Sequence, residues 1–272
     1  MIVVTGATGN VGRPLVAALA ATGEEVTAVS RHAAEQPPGV RHLRADLADP
    51  DGLRAVFDGA RALFLIGAAG DPRALLDAAK AGGVRRVVLL SSQAAATRPD
   101  SPSHDGLRAH EAAVLEQDLD WTLLRPGGFA SNAFMWAESI RAHRSAAAPF
   151  GDVGLPFVDP ADIAEVAAAA LRGGHEGRTY VLTGPEPISP RRRAQVIGEA
   201  LGAPVRFVEQ TRAEARAQLV TFMPEVVADG TLDILGEPTP AERVASPDVA
   251  RVLARPARPF SAWVERNLDA FR

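Results

Sequence analysis

Three glycines at intervals of three, Gly6, Gly9 and Gly12, are the residues whose type and spacing point most directly to chemistry. They follow a short apolar run, Ile2-Val-Val4, and open a helix-like tract from Pro14 that Thr22-Gly23 ends. Gly6 permits a sharp turn there, and Gly12 lets the helix pack closely on the strand. Gly9, with Thr8, Asn10 and Val11 around it, lets backbone N–H groups approach a pyrophosphate at the positive end of the helix. Residues 25–30 then read as a second strand, which completes a βαβ unit of the length a dinucleotide fold needs. That strand ends in Ser30-Arg31, where such folds often carry an acid for the ribose hydroxyls. A guanidinium pairs with a 2′-phosphate that a carboxylate would repel, so the sequence predicts NADPH or NADP over NADH.

Further polar and small residues fall at the carboxyl ends of later apolar runs, the edge at which parallel sheets bind ligands. Asp46-Leu47 follows a strand around residues 40–43, and Asp46 either meets the adenine edge or caps the next turn. Residues 62–66 are wholly apolar, as a strand buried on both faces should be, and lead through Ile66 and Gly67 into Ala68, Ala69 and Gly70. Residues 87–92 deliver Ser91 and Ser92, with Gln93 next, as polar candidates beside a nicotinamide. Residues 121–125 stop at Pro126-Gly127-Gly128-Phe129, which brings backbone close to a ligand and adds an apolar wall.

Helices read between these strands at 51–57, 72–81 and 110–117, with a polar loop over 97–104. The alternation predicts an α/β fold: a Rossmann-type doubly wound parallel sheet with a smaller C-terminal α/β substrate-binding lid. We place the NADP-binding domain at residues 1–150 and a mixed region, partly returning to the sheet, at 151–272. In that later part a helix follows Val158-Asp-Pro-Ala-Asp162 to Leu171. Residues 179–183 form a strand, 190–201 a helix, 205–208 a strand and 213–222 a helical tract. Phe134-Met135-Trp136 reads as core or as substrate wall. Asn132, Met135, Trp136 and Phe222 join Ser92, Gln93 and Phe129 as candidate substrate contacts.

Composition sets the outer bounds. The chain has 272 residues, 47% hydrophobic and 23% charged, with a formal charge of −4 and no cysteine. A basic field for nucleic acid is missing, and no apolar run reaches the length of a membrane span. Disulfides and thiolate chemistry are excluded, no His-x-x-x-His or carboxylate cluster suggests a metal, and a cytoplasmic monomer or homodimer is the expectation. Arg191-Arg192-Arg193 reads as a solvated helix face, and Lys80, in the last turn of a helix, as structural.

Taken together, Thr5-Gly-Ala-Thr-Gly-Asn-Val-Gly12, Leu90-Ser91-Ser92, Trp121-Thr-Leu-Leu-Arg-Pro-Gly127 with Phe129 and Asn132, and Val158-Asp-Pro-Ala-Asp162-Ile resemble an atypical short-chain dehydrogenase/reductase of the NmrA-like type. That group is related to bacterial NAD(P)H-dependent quinone and ketone reductases. The resemblance implies a Rossmann domain with the nicotinamide near Ser91-Ser92 and Pro126-Gly127. It departs at one point. Typical members of the superfamily use a Tyr-x-x-x-Lys pair on one helix to move the substrate proton. This chain's single tyrosine and single lysine, Tyr180 and Lys80, are a hundred residues apart. Spacing from Trp121 sets Ser103 and Leu107 where the pair would stand.

Three readings follow: a reductase whose substrate and water supply the proton; one in which Ser92, His104 or His110 supplies it; or a non-catalytic NADP(H) sensor with a protein partner. The leading expectation is an NADPH-dependent ketoreductase or quinone reductase of a carbonyl on a bulky, polycyclic aromatic or quinone-like metabolite, of the kind met in antibiotic biosynthesis.

Overall fold

The computed structural model describes residues 1–67 and 70–272, so Ala68 and Ala69 of the small-residue stretch after residue 66 lie outside the described residues. The chain alternates β1 (Ile2–Thr5), α1 (Gly12–Ala21), β2 (Val26–Ser30), β3 (Arg41–Arg44), α2 (Pro50–Phe57), β4 (Ala62–Ile66), α3 (Pro72–Ala81) and β5 (Arg86–Leu90). Next come α4 (Ala94–Thr97), α5 (Asp105–Glu116), β6 (Asp120–Pro126), α6 (Ala137–His143), β7 (Ser145–Pro149), α7 (Pro160–Arg172), β8 (Arg178–Leu182), α8 (Pro190–Leu201) and β9 (Arg206–Gln210). The last helices are α9 (Arg212–Leu219), α10 (Glu225–Gly236), α11 (Pro240–Arg243), α12 (Asp248–Leu253) and α13 (Phe260–Arg266).

Seven of the strands form one parallel sheet in the order β3-β2-β1-β4-β5-β6-β8. The order reverses between β1 and β4, and this switch point is where an open parallel sheet leaves a crevice. Period-two alternation divides the apolar runs between two cores. Ile2, Val4, Phe64, Val88 and Leu124 pack against α1 and α7. Val3, Leu63, Leu65, Leu89 and Leu123 pack against α2, α3 and α5. Both faces are covered, which explains why these strands read as continuous apolar runs.

Local chemistry sets the helix ends. Asp71 accepts from the backbone N–H groups of Arg73 and Ala74 just ahead of Pro72, and Ser189 accepts from Arg192 N–H just ahead of Pro190. A capping oxygen followed by proline at the first helical position is a strong start signal. Both helices accordingly span the residues their sequences predict.

The later third departs more from expectation. β7 and β9 pair in parallel as a separate two-stranded sheet over a third core, built from Ala130, Trp136, Ile140, Ile197, Trp263 and Phe271. Residues 102–104 form a 3-10 turn inside the expected polar loop, and α10 to α13 continue past the predicted helical tract. β8 returns to the edge of the main sheet beside β6, and α12 contacts α7 and β8. Among the described residues, no helix is long and apolar enough to cross a membrane.

Candidate active site

The glycine-rich loop is set by sterics. Gly6 has φ +60, and a Cβ there would stand 2.8 Å from Ile66 Cδ1. Gly9 N–H donates to Gly6 O at 2.9 Å and closes the turn. A Cβ on Gly12 would stand 2.1 Å from Gly6 O and 2.8 Å from Ala7 Cα, so only glycine lets α1 begin this close to β1. The cradle so formed fits a pyrophosphate, because its glycines present backbone at a helix N-terminus.

A cleft of about 510 Å³ runs from this loop along the carboxyl edge of the sheet. Gly6, Thr8, Gly9, Asn10, Val11 and Gly12 line one end, Ser30, Arg31, Asp46 and Leu47 another, and Ile66, Gly67 and Phe129 the inner wall. Val29, His32, Ala45 and Leu90, which sequence reasoning missed, line it too. Their signal was available: each neighbours a predicted residue at a strand end.

Ser30 is buried and serves the turn. Its Oγ donates to His32 O at 2.7 Å and lies 2.8 Å from His42 Nε2, which fixes the chain on either side of exposed Arg31. Asp46 caps the turn, its Oδ1 accepting from Ala48 N–H at 3.0 Å, and it also lines the cleft. Asn10 Nδ2 donates to Ser131 Oγ at 3.1 Å and ties the loop to the segment after β6.

A smaller cavity of about 170 Å³ adjoins the cleft across the ends of β5 and β6. Leu90 and Phe129 face the cleft, whereas Ser92, Gln93, Gly127 and Asn132 face the cavity. Leu155, Pro156 and Phe157 form a second side, and Thr231, Ile234 and Leu235 of α10 close it, with Glu242 beside them. The spacing 231, 234, 235 is one helical face, readable in the sequence had the helical tract been followed past Pro224.

Hydrogen-bond accounting separates the polar groups in this cavity. Thr231 Oγ1 donates its hydrogen to Val227 O at 2.8 Å, whereas Gln93 Nε2 donates one of its two N–H groups to Ala241 O at 3.0 Å. Ser92 Oγ accepts from Ala94 N–H at 3.2 Å and keeps its own hydrogen for a ligand. Glu242 accepts from Arg98 Nε and Nη2, both at 2.9 Å, and from Thr97 Oγ1 at 2.6 Å. Burial pushes the Glu242 carboxyl up, but these donors outweigh it and hold the group below the usual carboxylate range.

Several candidates stand elsewhere. Ser91 is buried, its Oγ without a partner among the described residues, and it lines neither cavity; Pro126 is likewise buried in β6. Trp136 is core, with Nε1 donating to Ala147 O, because the chain turns inward there to build the third core. Met135 and Phe222 are more than half exposed and line neither cavity. His110 is buried with Nδ1 bonded to Gly106 O. His104 lies 2.7 Å from Ser103 Oγ, and burial, then Arg108 and Arg98, lower its pKa. Neither histidine lines the cleft or the cavity.

The positions of the missing pair are occupied structurally. Ser103 packs under Gly230 of α10, and Leu107 packs on Gly67. Tyr180 Oη is 2.8 Å from His175 Nδ1, and Lys80 is exposed at the end of α3. The arginine run also divides: Arg191 pairs with Asp152 and Glu209 and Arg192 with Glu199, but Arg193 is buried, which corrects the reading of a solvated face. Among the described residues no group of three or more His, Cys, Asp or Glu could hold a metal.

A parallel sheet in this order, with a glycine cradle at its switch point, defines a Rossmann-type dinucleotide-binding protein. The chain belongs to the NAD(P)H-binding family whose model matches residues 6–173. Over its whole length it is 37% identical to the (4-alkanoyl-5-oxo-2,5-dihydrofuran-3-yl)methyl phosphate reductase of Streptomyces griseus, covering 99% of that protein. It is 33% identical to an NAD(P)H azoreductase of Xenophilus azovorans, again over 100% of this chain and 99% of the relative. The NADPH complex of a quinone oxidoreductase from Escherichia coli superposes with TM-score 0.80 at 25% identity, over 98% of this chain and 99% of that one. The protein is an NAD(P)H-dependent oxidoreductase.

Proposed function

We propose that the protein is an NADPH-dependent reductase of a quinone or a conjugated ring ketone, working without a tyrosine acid. The observation that carries this reading is the Ser92 hydroxyl, which lines a compact, largely apolar cavity with its hydrogen uncommitted. The cofactor supplies a hydride. Ser92 donates a hydrogen bond to the substrate oxygen and stabilises charge as it develops there. Leu155, Pro156, Phe157, Ile234 and Leu235 exclude water from the ring. A hydroquinone anion, or an enolate stabilised by a neighbouring carbonyl, leaves to be protonated by water, so no protein acid is required. A volume of about 170 Å³ supports a substrate of one or two rings in place of the extended polycycle anticipated from the sequence. The relative with the oxo-dihydrofuran substrate is a precedent for a compact conjugated ring. The same reading makes the enzyme cytosolic, with a small molecule as its partner.

NADPH oxidation, followed by absorbance with a panel of quinones and ring ketones, tests the proposal. Ser92→Ala is expected to lower kcat/KM for a ketone by about tenfold, the worth of one hydrogen bond, with KM for NADPH unmoved. Arg31→Ala is expected to raise Kd for NADPH by about tenfold while leaving NADH unchanged, as loss of an exposed charge-assisted pair would. Tight NADPH binding without turnover anywhere on the panel would overturn the reductase reading in favour of a cofactor sensor.

A further inference from the structure

Gln93 is a buried amide that the fold uses in part. It stands just ahead of α4, 8% exposed, and its backbone is pinned on both sides. The N–H donates to Pro126 O at 2.9 Å, and the carbonyl accepts from Thr97 N–H at 3.1 Å and from Thr97 Oγ1 at 3.3 Å. The side chain reaches across to α11, where Nε2 donates to Ala241 O at 3.0 Å. That bond decides which way round the amide sits, because the flipped form would set two carbonyl oxygens against each other. Oε1 is thereby left at the other end, and it accepts no hydrogen bond among the described residues.

Gly127 shows what lies beside this oxygen. A Cβ on Gly127 would stand 3.2 Å from Gln93 Oε1, and both residues line the smaller cavity. The oxygen therefore borders space that a side chain at residue 127 would have filled. The other polar groups of this wall are accounted for. Thr231 bonds Val227 O, Glu242 is taken up by Arg98 and Thr97, and Asn132 is exposed, so water serves its amide. Ser92 keeps a hydrogen to give, and Gln93 Oε1 keeps lone pairs to receive one. A ring that bears no donor would strip water from this oxygen and return nothing, whereas a hydroxyl would replace the lost bond.

We infer that Gln93 Oε1 selects the substrate by accepting a hydrogen bond from it, so that the enzyme prefers ring ketones or quinones carrying a free hydroxyl group. This rests on the reductase reading and narrows its substrate class. Gln93 is a specificity-determining residue in this scheme, with no part in the hydride step.

The test uses α-tetralone, its phenolic derivatives whose hydroxyl stands away from the carbonyl, and their methyl ethers. Each is titrated calorimetrically into protein saturated with NADP, at mildly acid pH where the phenols keep their protons. At least one hydroxytetralone should bind about tenfold tighter than α-tetralone, the worth of one hydrogen bond, and its methyl ether no tighter than the parent. Gln93→Met, which keeps the length and loses the amide, should bring the hydroxyl-to-parent ratio close to one and leave the Kd of α-tetralone unmoved. With NADPH in place of NADP, the ratio of kcat/KM values should follow the same pattern. Equal affinity across the panel, or no binding, overturns the inference. So does a methyl ether that gains as much as its phenol, which would make Nε2 the recognising atom, and so does a hydroxyl preference that survives in Gln93→Met. A structural role for Gln93 alone would weaken every ligand alike and keep the ratio. A preference that depends on Gln93, without turnover of any ketone or quinone, leaves the hydroxyl selection standing and removes the reductase reading. Should the methionine variant not fold, Gln93→Asn, with the amide drawn back by one methylene, decides by the same ratio.

Discussion

Gly12→Ala is expected to weaken NADPH binding by about a hundredfold, the worth of two charge-assisted hydrogen bonds to the pyrophosphate. It should also lower stability by about 2 kcal/mol, as overpacking does. The added methyl meets Gly6 O at 2.1 Å, Gly6 C at 2.7 Å and Ala7 Cα at 2.8 Å, all of them backbone. No rotamer change relieves such a contact. The loop must move away from α1, and the N–H groups lose their aim at the cofactor. Fluorescence titration with NADPH, together with urea unfolding, checks both effects. Gly106→Ala is the matched control: it lies in α5, exposed, and its added methyl meets nothing within 4 Å. That variant should gain about 0.5–1 kcal/mol from helix propensity. Normal NADPH affinity in Gly12→Ala would remove the cradle from the account of cofactor binding.

The second large effect concerns the far side of the site. Glu242→Ala is expected to cost about 3 kcal/mol, because it strands the half-buried Arg98 guanidinium beside a vacated space. Arg98 also donates to Glu237 O at 2.7 Å and Asp233 O at 3.3 Å at the carboxyl end of α10. The pair therefore fastens the helix that closes the smaller cavity to the α4 segment behind Ser92. In the variant, amide exchange over residues 225–243 should rise more than exchange in the sheet, and kcat should fall with it. Acid should act similarly. The Glu242 carboxyl is held below its unfolded value of about 4.3, so its stabilisation is intact above that pH and is lost as pH falls through the lower folded value. Uniform exchange throughout the chain would mean that Glu242 supports the whole fold and not this helix.

How much could be read in advance differs sharply between the two halves of the site. The larger cleft comes from strand ends and the turns after them, in the order in which the chain makes them. Glycine sterics and β-branched runs therefore pointed, without coordinates, to the Gly6–Gly12 loop and to Ser30 and Arg31, which line this cleft. The smaller cavity is assembled from residues 92–94, 127, 128, 132, 155–157, 231, 234, 235 and 242, and no local rule joins such distant pieces. β7 shows the difficulty in miniature. Ser-Ala-Ala-Ala-Pro carries no strand propensity, and pairs with β9 only because the third core holds the two together. Arg193 is a different case, since its signal was present. It stands three and four residues before Val196 and Ile197, on the buried stripe of α8, and the helical period outweighs the habit of reading adjacent arginines as surface.

The α10 helix has a consequence for how this enzyme could change its diet. It supplies Thr231, Ile234 and Leu235 to the cavity and lies outside both sheets. Its own small cluster with Ala215, Leu219 and Phe150 is separate from the three larger cores. On the proposed function, substitutions on its inner face reshape one side of the substrate space and leave the sheet edge with its glycine-rich loop unchanged. Selection, or a directed library confined to residues 225–236, has a short and separable segment through which new substrates can be admitted.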